Sequence, residues 1–291
     1  MNFLKKLFLP ITLPLKFIQE HFKAMIFVLI LFLLFAPQGD EDLTSNNLQE
    51  IQLIGPIMDA TEIVTQIDDA AQNKNIKGVL LVVDSPGGAV APSIEIAYAV
   101  KRLGAKKPIA VYAKGTIASG SYYASIWADK IIVNPGSMVG SIGVIMQGTD
   151  LSGIMDKIGI KTQVVKAGKY KQLGTSDRPW TDFEVNELNK VIQGTYDMFS
   201  RDVAQARHLD YKKRDLYANA HIFTAYQAQE IGLVDNVTVL YNAREQLRIM
   251  SNIKKEDAIW NKEDKFDKFM KKLAATSAVT LHTYFPSLIL K

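Results

Sequence analysis

The sequence predicts an α/β protein built around a parallel sheet. Two observations carry this reading. The runs GVLLVVD (78–84), PIAVYAK (108–114) and DKIIVN (129–134) are largely apolar, and the first is an unbroken valine-rich run, the mark of a strand buried on both faces. Between them lie stretches whose apolar residues recur at helical spacing. Strands that alternate with helices at this interval imply parallel βαβ units.

The elements follow in order. EIQLIGPI (50–57) reads as a strand ended by Gly-Pro, and TEIVTQIDDAAQN places Ile63, Ile67 and Ala70 on one helical face. The strand 78–84 comes next, then IEIAYAVKRLG, a helix closed by Gly104. SGSYYASIWA is read as a helix between the second and third buried strands. After Lys171 the character changes: Thr181 and Glu184 have the spacing of a capping box. The helix behind it puts Val185, Leu188, Ile192, Phe199 and Val203 on one side and extends toward Arg207. There is no internal repeat.

Composition narrows the function classes. A net charge of +4 on 291 residues, with no basic block beyond Lys-Lys pairs, gives no case for nucleic acid. With no cysteine, disulfides, thiol nucleophiles and Cys-based zinc sites are excluded. AMIFVLILFLLFA (24–36) is apolar throughout and spans about 20 Å as a helix. Extending it back to Phe17 lengthens the span, with Lys23 able to snorkel. Leu34 and Ala36 do not make a small-x-small cleavage site, so an uncleaved anchor over 24–37, or 17–37, is expected. Lys5, Lys6, Lys16 and Lys23 precede it; Asp40, Glu41 and Asp42 follow. That asymmetry predicts a basic N-terminus (1–23) in the cytoplasm and the rest of the chain on the outer side of the cytoplasmic membrane. The expected organisation continues with a linker (38–49), a catalytic domain (50–240) and a C-terminal helical tail (241–291).

Two stretches carry candidate chemistry. DSPGG (84–88) ends a buried strand, where ligands gather in parallel α/β sheets. The N–H groups of Gly87 and Gly88 could serve an oxyanion, although Gly-Gly alone equally suits a plain strand-to-helix turn. In KGTIASGSYYAS (114–125), Ser119 sits among small residues, either as a nucleophile or for tight helix packing. A serine nucleophile needs a base. His21, His208, His221 and His282 form no recognisable triad pattern. Lysine is the established alternative, and VVKAGKYKQLG offers Lys166, Lys169 and Lys171. Spacing selects none of the three.

DSPGG, ASGSYYAS, ADKIIVNPGSMVGSIGV, AGKYKQLG and AQEIGLVD occur in this order, and together they resemble the signal peptide peptidase A family of serine proteases over about residues 50–240. The resemblance implies a ClpP/crotonase-like core of repeated ββα/βαβ units behind an N-terminal transmembrane helix. It implies Ser119 as nucleophile, Lys171 as general base and Ser141 as the residue that holds the lysine. Gly87 or Gly88, with Gly120, would supply the oxyanion hole. A lysine base must be neutral; a free lysine titrates at about 10.4, and an apolar groove lowers that value. Two positions depart from the family pattern. Ser121 stands where glycine is usual, and the lysine segment begins Ala-Gly in place of Ser-Gly.

No metal or cofactor is expected. The expected substrates are apolar extended peptides, including signal-peptide remnants, and the expected assembly is a closed cyclic homo-oligomer, an octamer, in which serine and lysine meet across a subunit boundary. Three other readings stay open: a membrane protease acting on stomatin-like or other membrane proteins, a crotonase-type acyl-CoA enzyme, and a non-enzymatic scaffold. The tail, with Phe266, Phe269 and Leu273 at helical spacing, suits a helix packed on its own domain, contact with the membrane surface, or a segment lying in a neighbour's groove.

Overall fold

The computed structural model describes residues 19, 21–27 and 46–261. The chain divides into two units, Met1–Ser45 and Asn46–Lys291. In the first, residues 21–27 are helical and exposed. The expected anchor overlaps the described residues at 24–27, or at 19 and 21–27 in its longer form, and the tail beyond 261 lies outside them. Among the described residues no helix is long and apolar enough to cross a membrane.

The second unit is α/β, as the alternation of apolar runs predicts. Five strands, β1 (Leu48–Ile54), β2 (Gly78–Ser85), β3 (Ile109–Ala118), β4 (Lys130–Val133) and β7 (Asn236–Val237), lie side by side in that order. All their pairings are parallel. The long strand β3 has two partners on one side. Ala110–Ala113 pair with β4, and Thr116–Ala118 pair with β5 (Met138–Gly140). An antiparallel strand β6 (Ile222–Thr224) then closes on β5.

The two faces of the sheet bury different neighbours. Val79, Leu81 and Val83 of β2 join one core with Ile67, Ile96, Val100 and Tyr122, supplied by helices α1 (Thr61–Gln72), α2 (Val90–Gly104) and α3 (Gly120–Ser125). Leu80 and Val82 point the other way, to Ala243 and Leu247 of α7 (Leu240–Met250). All five of these β2 residues are at most 4% exposed. Each such burial is worth about 1.5–3 kcal/mol, which is why an unbroken apolar run marks this strand. Trp260 packs with the second core and bridges to Leu48 on the edge strand β1. Asn47 and Leu48 donate to the Ile259 carbonyl (2.9 and 3.1 Å), and Asn261 donates to Leu48. An exposed sheet edge is thereby partly covered.

Residues 141–181 are built differently. Apart from the short helix α4 (Ser152–Lys157) they hold no regular element, and we refer to them as the arm. Helix α5 (Asp182–Ala206) follows it and begins with the predicted capping box between Thr181 and Glu184. Its C-terminal part buries Phe199, Val203 and Ala204 on the body, whereas Val185 and Val191 near its start stay exposed. Helix α6 (Ala225–Glu230) lies between β6 and β7 and carries a second capping box, Thr224 with Gln227.

Candidate active site

The site forms where β2 and β3 end. Ser119 follows β3 directly and adopts φ 52°, ψ −123°, a left-handed conformation that is costly for a non-glycine residue and is tolerated only where surroundings enforce it. Its surroundings do so. Ser119 N–H donates to the Gly140 carbonyl at the end of β5 (2.8 Å), and the Ser119 carbonyl accepts from Tyr123 in the first turn of α3 (3.0 Å). The backbone thus turns sharply from strand to helix with Ser119 at the apex.

The two glycines of DSPGG have distinct tasks. Gly87 has φ 96°, and a methyl there would fall 2.5 Å from Gly120 N and 2.8 Å from the Ser119 Cβ. Only glycine allows these two turns to lie back to back. Its N–H is already taken by the Ser85 hydroxyl (3.2 Å). Gly88 instead packs against Ile57, which holds the flanking residues by donating to the Gly87 carbonyl and accepting from Ala89 N–H, both at 2.8 Å. A methyl on Gly120 would stand 3.2 Å from Gly88 N, so the amides of Gly88 and Gly120 are neighbours. Both residues line a cleft together with Ser119, Tyr123, Ile145 and Phe199.

The cleft wall contains residues that sequence reading did not single out. Tyr123 donates a hydrogen bond to Asp202 of α5, and its ring meets Phe199 edge-on, centroids 5.0 Å apart. Burial, and then the hydrogen bond to Asp202, push the Tyr123 hydroxyl well above the ordinary tyrosine range. It therefore stays protonated and acts as a fixed donor. The partners are 79 residues apart in the chain, so no local pattern announces them.

Ser141 lies immediately after Gly140, the residue that accepts the Ser119 amide, and has φ 49°. Its own amide donates to the His221 carbonyl (2.7 Å). Ser119, Ser141 and the glycines are thus brought to one end of the sheet. Lys171 is not. It sits in an exposed turn of the arm, its amide donating to Gly168 (3.3 Å), and it is absent from the cleft lining. Among the three arm lysines, Lys166 donates to Gln172 (3.3 Å) and Lys169 lies over the rings of Tyr170 and Phe183. Neither His208 nor His221 lines the cleft, and His21 belongs to the other unit. His282 lies outside the described residues.

This sequence matches peptidase family S49 over residues 101–254, a span that includes Ser119, Ser141 and Lys171. It is 40% identical over 201 residues to a protein of Methanocaldococcus jannaschii provisionally named a protease, covering 69% of this chain and 65% of that one. It is 34% identical over 187 residues to an Enterococcus faecium protein provisionally named a signal peptide peptidase, covering 64% of this chain and 54% of that one. The chain therefore spans less than two thirds of the length of either relative. Among solved structures, a ClpP1 mutant from Listeria monocytogenes aligns with a TM-score of 0.47 and 15% identity, covering 67% of this chain and 93% of that one.

Proposed function

The chain belongs to peptidase family S49 and resembles its signal peptide peptidases, and on that premise we propose that it is a serine endopeptidase with Ser119 as nucleophile and Lys171 as base. The observation that carries this is the strained turn at Ser119, opening into a cleft beside two adjacent glycine amides. Ser119 Oγ attacks the peptide carbonyl as neutral Lys171 takes its proton. The N–H groups of Gly88 and Gly120 receive the negative charge that develops on the carbonyl oxygen. The lysine then gives its proton to the leaving amine, freeing it, and the acyl-enzyme is hydrolysed by a water that the same lysine deprotonates. Ser141 accepts a hydrogen bond that keeps the lysine aimed at Ser119. Gly87 contributes close packing, since its own amide is engaged by Ser85.

The base comes from a neighbouring subunit in a closed ring, an octamer by family resemblance. In support, Lys171 stands clear of its own chain's cleft, and the arm that carries it exposes Ile154, Ile158 and Val165. The apolar cleft wall of Ile145, Phe199 and Val90 suits extended apolar peptides such as signal-peptide remnants. The apolar run 24–36 with its flanking charges favours tethering to the cytoplasmic membrane, with the catalytic unit on the outer side. A tag at the C-terminus that stays protease-protected in intact cells and is digested in spheroplasts supports that orientation.

Labelling by a fluorophosphonate or β-lactone probe tests the nucleophile. One label per chain on Ser119, lost in Ser119→Ala, is expected; full labelling of Ser119→Ala overturns the assignment. Mixing inactive Ser119→Ala with inactive Lys171→Ala subunits tests the shared site. Hetero-oligomers that regain part of the activity support it, and hetero-oligomers that regain none overturn it.

A further inference from the structure

We infer that Ser121 is a positioning residue whose hydroxyl fixes the spacing between the nucleophile turn and the oxyanion donors. The inference rests on the reading of Ser119 as nucleophile. Ser121 is fully buried in the first turn of α3. Its Oγ accepts a hydrogen bond from Ala118 N–H (2.9 Å). Its single proton is shared between the carbonyls of Ser85 (2.7 Å) and Ala118 (2.9 Å).

Those partners are the last residues of β2 and β3. Ser85 pairs with Ile117 at the end of the ladder, just past a register shift at Val83. Beyond this point both strands give way to turns that stay packed against each other. One leads through Pro86 to Gly87 and Gly88, and the other leads to Ser119 and Gly120. One hydroxyl therefore bridges the two strand ends. It contacts the residue before the nucleophile on one branch and the strand end that precedes the glycine pair on the other. Ser125 Oγ in turn donates to the Ser121 carbonyl (2.7 Å), which ties this junction to the body of α3.

An oxyanion hole works only if its donors stand at hydrogen-bond distance from where the negative oxygen will be. A hydroxyl that fixes both branches acts on that distance without touching substrate. Its loss should reduce kcat while leaving KM nearly unchanged, because ground-state contacts lie along the cleft wall.

The experiment compares Ser121→Ala with Ser121→Gly in the full chain, on a fluorogenic peptide with an apolar residue at the cleaved position. Alanine fills most of the serine's volume and offers no hydrogen bond. Glycine vacates room on the scale of one water, which can relay between the polar partners that remain. The expected result is kcat about tenfold lower in Ser121→Ala, KM within about twofold, and Ser121→Gly clearly more active than Ser121→Ala. A role in packing or helix propensity gives the opposite order, since glycine is the poorer helix residue. Glycine activity at or below that of alanine overturns the inference, as does an alanine variant with wild-type kcat. If Ser121→Ala does not fold, Ser121→Cys keeps the shape with weak hydrogen bonding and must show the same fall in kcat. Retained activity in Ser119→Ala would instead defeat the nucleophile assignment, so the two failures are distinguishable.

Discussion

The body of the sheet and the arm both carry large aliphatic side chains, and they treat them in opposite ways. In β2, residues Val79 to Val83 are at most 4% exposed, whereas Ile158 in the arm is 64% exposed and Val165 fully so. The body's side chains have found partners within one chain. Those of the arm have not, and exposed apolar surface on this scale marks an interaction site. On the proposed function, stability and catalytic completeness therefore reside in different segments. The body folds Ser119, the proposed nucleophile, into place, and the arm holds Lys171 clear of its own chain's cleft.

The sharpest test of this division sets one residue from each segment side by side. Lys171→Ala should lower kcat by about a thousandfold or more, as loss of an activating base does, with the melting temperature unchanged. Leu81→Ala should destabilise by about 2–5 kcal/mol, read by denaturant unfolding, while folded molecules keep their activity. If the lysine variant melts early, the arm is part of the body's stability and the division is wrong.

Gly87→Ala probes the body's contribution to chemistry. Its methyl would fall 2.5 Å from Gly120 N at φ 96°, so the turns must separate. A loss of roughly a hundredfold in kcat is expected, with loss of probe labelling at Ser119. A variant of near-normal activity would mean that the two turns tolerate displacement.

A smaller effect should follow from charging the arm. Ile158→Asp and Val165→Asp place a carboxylate on the exposed apolar surface where the proposed ring would make its contact. The proposed oligomer, followed by light scattering, should shift toward smaller species, and activity should fall about tenfold at dilute protein, recovering as concentration rises. Unchanged mass would sever the link between arm exposure and assembly.

The smallest effect concerns the hinge between the two segments. Glu184 is held down to about 2, first by its hydrogen bond from Arg178 and then by the Thr181 amide. Arg178 meets it with both guanidinium nitrogens at 2.8 Å. A depressed carboxyl contributes stability that is present above its ordinary value of 4.5 and is lost as pH falls toward 2. Amide exchange across residues 178–185 should therefore accelerate through that interval, and Glu184→Gln should flatten the dependence. Exchange insensitive to pH, beyond its chemical rate, would show that the pair does not anchor the arm.

The body was legible because its physics is local: unbroken apolar runs, helical spacing and a capping box are all readable over a few residues. The site was legible in part. Ser119 stood out only through resemblance, because a serine among small residues is equally a packing residue. Gly87 and Gly88 could not be told apart until the Ser85 hydroxyl was seen to claim one amide. Tyr123 and Asp202 meet across 79 residues, which no window in the sequence spans. Ser121 was visible as a departure from a pattern, but its three backbone contacts depend on how two strands end. The arm gave little because its apolar residues follow no period.

The stitch between residues 47–48 and 259–261 has a mechanical consequence. It joins the point where the chain enters the sheet to the point where it leaves. Ser119 lies at the opposite end of the strands, about 23 Å away along the seven steps of β2. Tension on the segments before 46 or after 261 is taken up at the edge of β1, by a few backbone hydrogen bonds and the seating of Trp260. That load path does not run through β3 or the turn at Ser119. Pulling on either segment would peel this edge first and leave the turn at Ser119 intact.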